Sequence, residues 1–251
     1  MQSTTNTCPE VSSSLTAFFP AAFAWGRRRA EEERCAALVD LTELGDEAAE
    51  RLLSEAEQEF FQQLRHPKRR REWLGGRIAA KAALLNLPEG ADFTAQARRL
   101  TILPDAQGRP TVSGGADSLT LSITHSGRYA AALAAPGRPC GIDLQVISAK
   151  LPLLTKYFAA ADELELLAGQ PELGSETAAL TMLWAVKEAV KKSLPQQPGM
   201  FSGIKAERIL PAGDCAWRFQ CGAQAAAAYA FPPYVLALTA GAALSPRPSS
   251  L

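Results

Sequence analysis

Between residues 176 and 194 the apolar positions return with helical spacing. Ala179, Met182, Leu183, Val186, Val190 and Leu194 fall on one face when each residue turns about 100°. Trp184, Glu188, Lys191 and Lys192 fall on the other, so this helix has a core side and a working side. A second helical stretch covers roughly 68–87, where Ile78, Lys81-Ala82-Ala83 and Leu84-Leu85 follow Gly75-Gly76-Arg77. Short strand-like runs follow each helix. After the first come 100–103, 119–124, 129–134 and 140–144; after the second come 207–210, 217–219, 225–231 and 235–238. A helix followed by a meander, twice over, predicts an α+β fold built from a duplicated unit. Arg128–Ala135 and Tyr234–Ala240 even share a Tyr followed by small and aliphatic residues. The expected divisions are an N-terminal extension 1–35, halves 36–146 and 147–245, and a frayed tail 246–251. Residues 1–14, rich in Ser and Thr, read as a loose tail.

Composition narrows the function. The 26 basic and 26 acidic residues cancel, which argues against a nucleic-acid binder. The Lys68–Arg71 and Arg98-Arg99 clusters suit a small anionic ligand better than a long polyanion, although for any single cluster a solvated helix face is the better reading. Five cysteines without a CxxC pair point to a reducing, cytoplasmic setting. The apolar run Leu15–Trp25 is broken by Pro20 and followed by Arg27-Arg28-Arg29, the wrong order for a secretory signal. No run approaches membrane-spanning length, so no membrane partner is expected. With two histidines there is no His-rich metal site. No GxSxG, GxxxxGK[ST] or GxGxxG pattern is present either.

Three segments carry polar residues where a core would not want them. Ser122–Gly127 ends an alternating strand, and its hydroxyls and His125 suit a phosphate; a capped hairpin turn is the ordinary alternative. In Gly141-Ile142-Asp143-Leu144-Gln145 a carboxylate alternates with aliphatic residues in a strand that reads as buried. Asp143 therefore needs a cation or strong donors, and the sequence leaves both open. Glu188 and Lys192 stand four apart on a helix, a spacing that also gives routine surface pairs worth about 0.2–0.5 kcal/mol.

Taken in order, these segments resemble the 4′-phosphopantetheinyl transferases of the surfactin-synthetase type. Ser54–Glu57 and Arg70–Lys81 are similar to that family's first helix, and Gly108-Arg109-Pro110 to its G-K/R-P turn. Ser122–Gly127 is similar to its S-x-S-H-S-G segment, with Thr124 in place of the second Ser. Gly141–Gln145 resembles its G-I-D-x-E, and Trp184–Ala189 its W-x-x-K-E-A. The resemblance spans about residues 37–240.

It implies two similar α+β halves related by a pseudo-twofold axis with the active site at their interface, in a monomer. It also implies a reaction: Mg²⁺-dependent transfer of the phosphopantetheine arm of coenzyme A to a serine of an apo acyl or peptidyl carrier protein, with release of 3′,5′-ADP. Asp143, Glu188 and Gln145 would form the metal set, and Glu188, Lys192 and Asp143 the catalytic set. Arg77, Arg109, Thr124, His125 and Lys192 would contact coenzyme A, with the Lys68–Arg71 cluster less securely aligned. Gln145 replaces the family's second acid, which predicts weaker Mg²⁺ binding rather than lost activity. A degenerate module that binds coenzyme A or a carrier without transfer is the alternative. Carrier choice is expected on the loops Phe158–Gly169 and Gln196–Phe201.

Overall fold

The computed structural model describes residues 35–42, 44–85, 91–114, 119–194, 199–201, 203–213 and 216–240. The expectations for the extension up to residue 34 and for the tail 246–251 lie outside the described residues. The chain divides into two compact units between Pro139 and Cys140.

The first unit runs β1 (Cys35–Asp40), α1 (Glu47–Leu52), α2 (Glu55–Gln63), α3 (Pro67–Leu85), α4 (Ala91–Ala97), β2 (Thr101–Pro104), β3 (Pro110–Ser113), β4 (Leu119–Ser126) and β5 (Tyr129–Pro136). Its three-stranded sheet has the order β1-β5-β4, all antiparallel, beside the β2–β3 hairpin. Helix α3 packs on β5, β1 and β4. It starts at Pro67, whose missing N–H costs nothing at a first helical position. Its Gly75-Gly76 pair permits a close approach. A Cβ at Gly75 would lie 2.1 Å from Leu41 Cδ2, and one at Gly76 would lie 2.9 Å from Ile123 Cγ2. Ala130, Ala132 and Ala134 of β5 keep the facing sheet surface low and belong to the core of this unit.

The second unit runs β6 (Ile142–Val146), a 3-10 segment Leu151–Tyr157, α5 (Ala161–Ala168), a 3-10 turn Pro171–Leu173, α6 (Glu176–Ser193), β7 (Arg208–Gly213), β8 (Ala216–Cys221), β9 (Gln224–Phe231) and β10 (Tyr234–Ala240). Its antiparallel sheet has the order β6-β10-β9-β8-β7. Helix α6 packs on β10, β6 and β9, capped at its start by Ser175, which accepts from Ala178 N at 3.3 Å. Met182, Leu183, Val186 and Val190 form its buried side, as the spacing predicts. Strand β6 falls in this unit because it pairs with β10, whereas the sequence sets the junction after residue 146.

Each unit also contains a buried ion pair that ties its elements together. Glu57, at the capping box that opens α2, accepts from Lys81 Nζ at 2.5 Å and from Ile102 N at 3.0 Å. Lys81 also donates to Leu52 O and Ala97 O at 2.7 and 2.8 Å. Glu163 accepts from Lys187 Nζ at 2.6 Å and from Ala206 N at 2.7 Å, while Lys187 donates to Phe158 O at 2.6 Å. The abundance of hydrogen bonds is what makes these buried charges tolerable.

The fold is α+β, as the helix-and-meander pattern predicts. Strands β1 and β3 and helices α1, α4 and α5 do not stand out in that pattern. β1 is buried at its last four positions, so it shows no alternation. The loop expected over Phe158–Gly169 is largely α5, and 196–198 lie outside the described residues.

Candidate active site

The site in the second unit begins with a glycine. A Cβ on Gly141 would lie 1.8 Å from the carbonyl oxygen of Ala189, so only a glycine lets β6 enter directly against the backbone of α6. Thr239 fixes that entry: Gly141 N donates to its Oγ1 at 3.0 Å, and its own N–H donates to Gly141 O at 2.9 Å. Two residues later Asp143 turns a buried carboxylate toward α6.

Both oxygens of that carboxylate are engaged. Oδ1 accepts from Lys192 Nζ at 2.6 Å, and the same ammonium donates to Ile142 O at 3.0 Å. Oδ2 accepts from Gln145 Nε2 at 2.7 Å. Glu188 lies one turn before Lys192 on α6. Burial pushes its carboxyl above the usual glutamate range, and the negative charge of Asp143 adds to the shift against the opposing Lys191 and Lys192. Glu188 is thus within the field of Asp143, and the structure brings Asp143, Gln145, Glu188 and Lys192 together. Trp184 packs edge-on between Phe158 and Phe201, with centroids 5.2 and 5.1 Å away.

This chemistry fits a divalent cation with oxygen ligands. A half-buried carboxylate whose pKa is raised by burial and by a buried carboxylate nearby is relieved by a positive ion. Mg²⁺ in particular takes one or two protein carboxylates and completes its shell with phosphate oxygens and waters. Among the described residues no cluster of three His, Cys, Asp or Glu side chains could hold a metal. Asp143 and Glu188 are the two carboxylates that the described residues place here. Gln145 presents an N–H to Asp143, with no third negative oxygen beside it.

The remaining predicted residues lie in the first unit. β4 turns Thr124 inward, buried, and leaves His125 half exposed at the strand end. The Nδ1 of His125 is 3.6 Å from Glu72 Oε1, which Lys68 also approaches at 3.7 Å. Arg77, only 8% exposed, lays its guanidinium 4.5 Å over the Trp73 ring. Burial lowers its pKa to about 10, with Glu57 pulling the other way, and its Nε has no hydrogen-bond partner. A buried guanidinium with an unmet donor is a natural anion contact. Arg109 stands at the β2–β3 turn, where Gly108 takes a φ of 82° and Asp105 Oδ1 accepts from Arg109 N at 2.8 Å. Within the basic cluster Arg70 is committed to structure. It donates to Phe61 O and Leu64 O at 2.9 and 3.0 Å and pairs with Asp46 at 2.8 Å. The hydrophobic pattern gave no hint of Glu72 as a neighbour of His125; its i,i+4 relation to Lys68 was the only local signal.

Comparison with known proteins bears on both units. Residues 55–135 match the family described as 4′-phosphopantetheinyl transferase N-terminal domain, and residues 139–239 match the 4′-phosphopantetheinyl transferase superfamily. The chain is 38% identical over 85 residues to a holo-[acyl-carrier-protein] synthase of Halalkalibacterium halodurans, covering 33% of this chain and 70% of that protein. It is 30% identical over 86 residues to the same-named protein of Staphylococcus haemolyticus, covering 34% and 72%. A crystal structure of a holo-(acyl-carrier-protein) synthase from Bacillus anthracis, in complex with CoA (3′,5′-ADP), overlays on 41% of this chain and 93% of its own, at 24% identity and a TM-score of 0.37.

Proposed function

Because this chain belongs to the 4′-phosphopantetheinyl transferase superfamily, we propose that it moves the 4′-phosphopantetheine arm of coenzyme A onto a serine of an apo acyl or peptidyl carrier protein. The observation that carries this reading is the grouping of Asp143, Glu188 and Lys192 where β6 meets α6.

In the proposed reaction the serine oxygen attacks the phosphorus next to the pantetheine arm. The diphosphate P–O bond breaks, and 3′,5′-ADP leaves with the bonding electrons. Glu188, directly or through a water, would accept the serine proton. Lys192 supplies positive charge to the phosphate oxygens, the kind of stabilisation on which phosphoryl transfer mainly depends. Asp143 and Glu188 would hold Mg²⁺, which when bound neutralises charge on the diphosphate. Arg77, Arg109, Thr124 and His125 are assigned to the phosphate groups of coenzyme A, and the orphan Nε of Arg77 is the best support for that assignment.

The test is intact-mass spectrometry of several apo carriers after incubation with the protein, coenzyme A and Mg²⁺. The expected result is a gain of one phosphopantetheine arm on at least one carrier, lost in Asp143→Ala and Glu188→Ala. No gain on any carrier would overturn transfer in favour of the non-catalytic module that Gln145 suggests.

A further inference from the structure

Asp143 is nearly inaccessible, with its side chain 4% exposed. A carboxylate so placed calls for a counter-charge, because an unpaired buried carboxylate is strongly unfavourable or is neutralised. In the structure Lys192 supplies it, at 2.6 Å from Oδ1, while Gln145 steadies the other oxygen. The Lys192 side chain is itself 25% exposed, at the last turn of α6, so its flexible stem has somewhere to go. An ammonium in hydrogen-bond contact with Oδ1 and a divalent cation at the same oxygen exclude one another by charge and by volume.

We propose that Lys192 is a resident counter-ion of Asp143 that a divalent cation must displace to bind, so that cation entry and release of the Lys192 ammonium toward an anionic ligand are one event. The inference rests on Asp143 and Glu188 being the cation site named above. It gives Lys192 a duty before any coenzyme A is present. In the cation-free protein it pairs with Asp143 and holds that side chain in place; in the loaded protein it is free for the phosphates. It also makes the protein's own affinity for the cation weaker than two carboxylates would otherwise give.

Mn²⁺ binding without coenzyme A, followed by electron paramagnetic resonance of the free ion, tests this on the full-length chain. Lys192→Met should bind Mn²⁺ roughly tenfold more tightly than wild type, since it removes a directly competing charge. Lys191→Met is the control, because Lys191 also acts on Glu188 through its charge but has no ion pair with Asp143 among the described contacts. It should tighten binding by no more than about twofold, the effect of a general field in water-accessible surroundings. Equal gains in the two variants, or no gain in Lys192→Met, would overturn the proposal. Should Lys192→Met lose the wild-type circular dichroism spectrum, Lys192→Gln carries the same expectation. The outcome is separable from transfer: the tenfold difference with no carrier modified by wild type would leave the counter-ion standing and remove the transferase reading.

Discussion

Asp40 closes β1 with a carboxyl 5% exposed, accepting from Thr42 N and Oγ1 at 2.9 and 2.8 Å and from Arg128 Nε at 2.6 Å. Burial alone would raise its pKa, but the bonds from Arg128 and Thr42 outweigh it and hold the group below the usual aspartate range. A depressed folded pKa means stability that is fully present above the unfolded value, about 4, and lost as pH falls through the folded one. Asp40→Asn should therefore cost about 1–2 kcal/mol at pH 7, a figure kept low by the half-exposed Arg128. Denaturation at a series of pH values should show the gap to wild type closing below about pH 4; a gap of constant size would refute it. At this scale the sequence was readable where a residue type is forced by chemistry. A carboxylate among aliphatic residues at Asp143 had to have partners, and it has Lys192 and Gln145. Which way Gln145 turns its amide, and that Glu72 stands by His125, depend on neighbours distant in sequence and left no local trace.

Among elements, α6 was legible because it has an apolar stripe against a sheet, and α3 because of its length, although it is buried on every side from Leu74 to Ala83, Arg77 and Lys81 included. The short ones are held by single polar residues instead. Helix α5 exists where a loop was expected because Glu163 closes its first turn onto Ala160 N at 2.9 Å and reaches Lys187 on α6 and Ala206 ahead of β7. The W-x-x-K-E-A segment thus splits its duties: Lys187 faces inward as a clamp, and Glu188 faces the site. Removing one partner of such a pair leaves a buried charge unmatched, typically about 3–5 kcal/mol, whereas removing both for apolar groups costs far less. Lys187→Met should accordingly destabilise the chain by about that amount. The double variant Lys187→Met/Glu163→Leu should recover part of the loss in urea unfolding, with Ala160 N and Ala206 N left unsatisfied as the remaining deficit. A double variant whose loss equals the sum of the two single losses would show that Glu163 stabilises the fold through those two amides rather than through Lys187.

For the whole molecule, the two clamps are the clearest sign of the duplication that the helix-and-meander pattern suggests. Glu57–Lys81 and Glu163–Lys187 are each 24 residues apart, each Glu caps the helix ahead of the long one, and each bonds an N–H at or ahead of a following strand. The same shift in residue number that carries Glu57 onto Glu163 and Lys81 onto Lys187 carries Ala37 onto Asp143 and Ala82 onto Glu188. Ala37 and Ala82 are core residues of the first unit. β1 pairs with β5 at Ala37 as β6 pairs with β10 at Asp143, so the strand is present in both units and the carboxylates in only one. Backbone periodicity could reveal the repeated scaffold but not this difference, since an alanine and a buried carboxylate can occupy the same strand position when a lysine and an amide stand ready beside the second. If Asp143 and Glu188 hold the cation as proposed, the expected stoichiometry is one per chain, held by the second unit. Mn²⁺ titration of the wild-type chain should saturate at a single equivalent, and Asp143→Ala should abolish it. Two equivalents of similar affinity, or a full equivalent surviving in Asp143→Ala, would mean that the first unit binds a cation through residues other than the counterparts of Asp143 and Glu188.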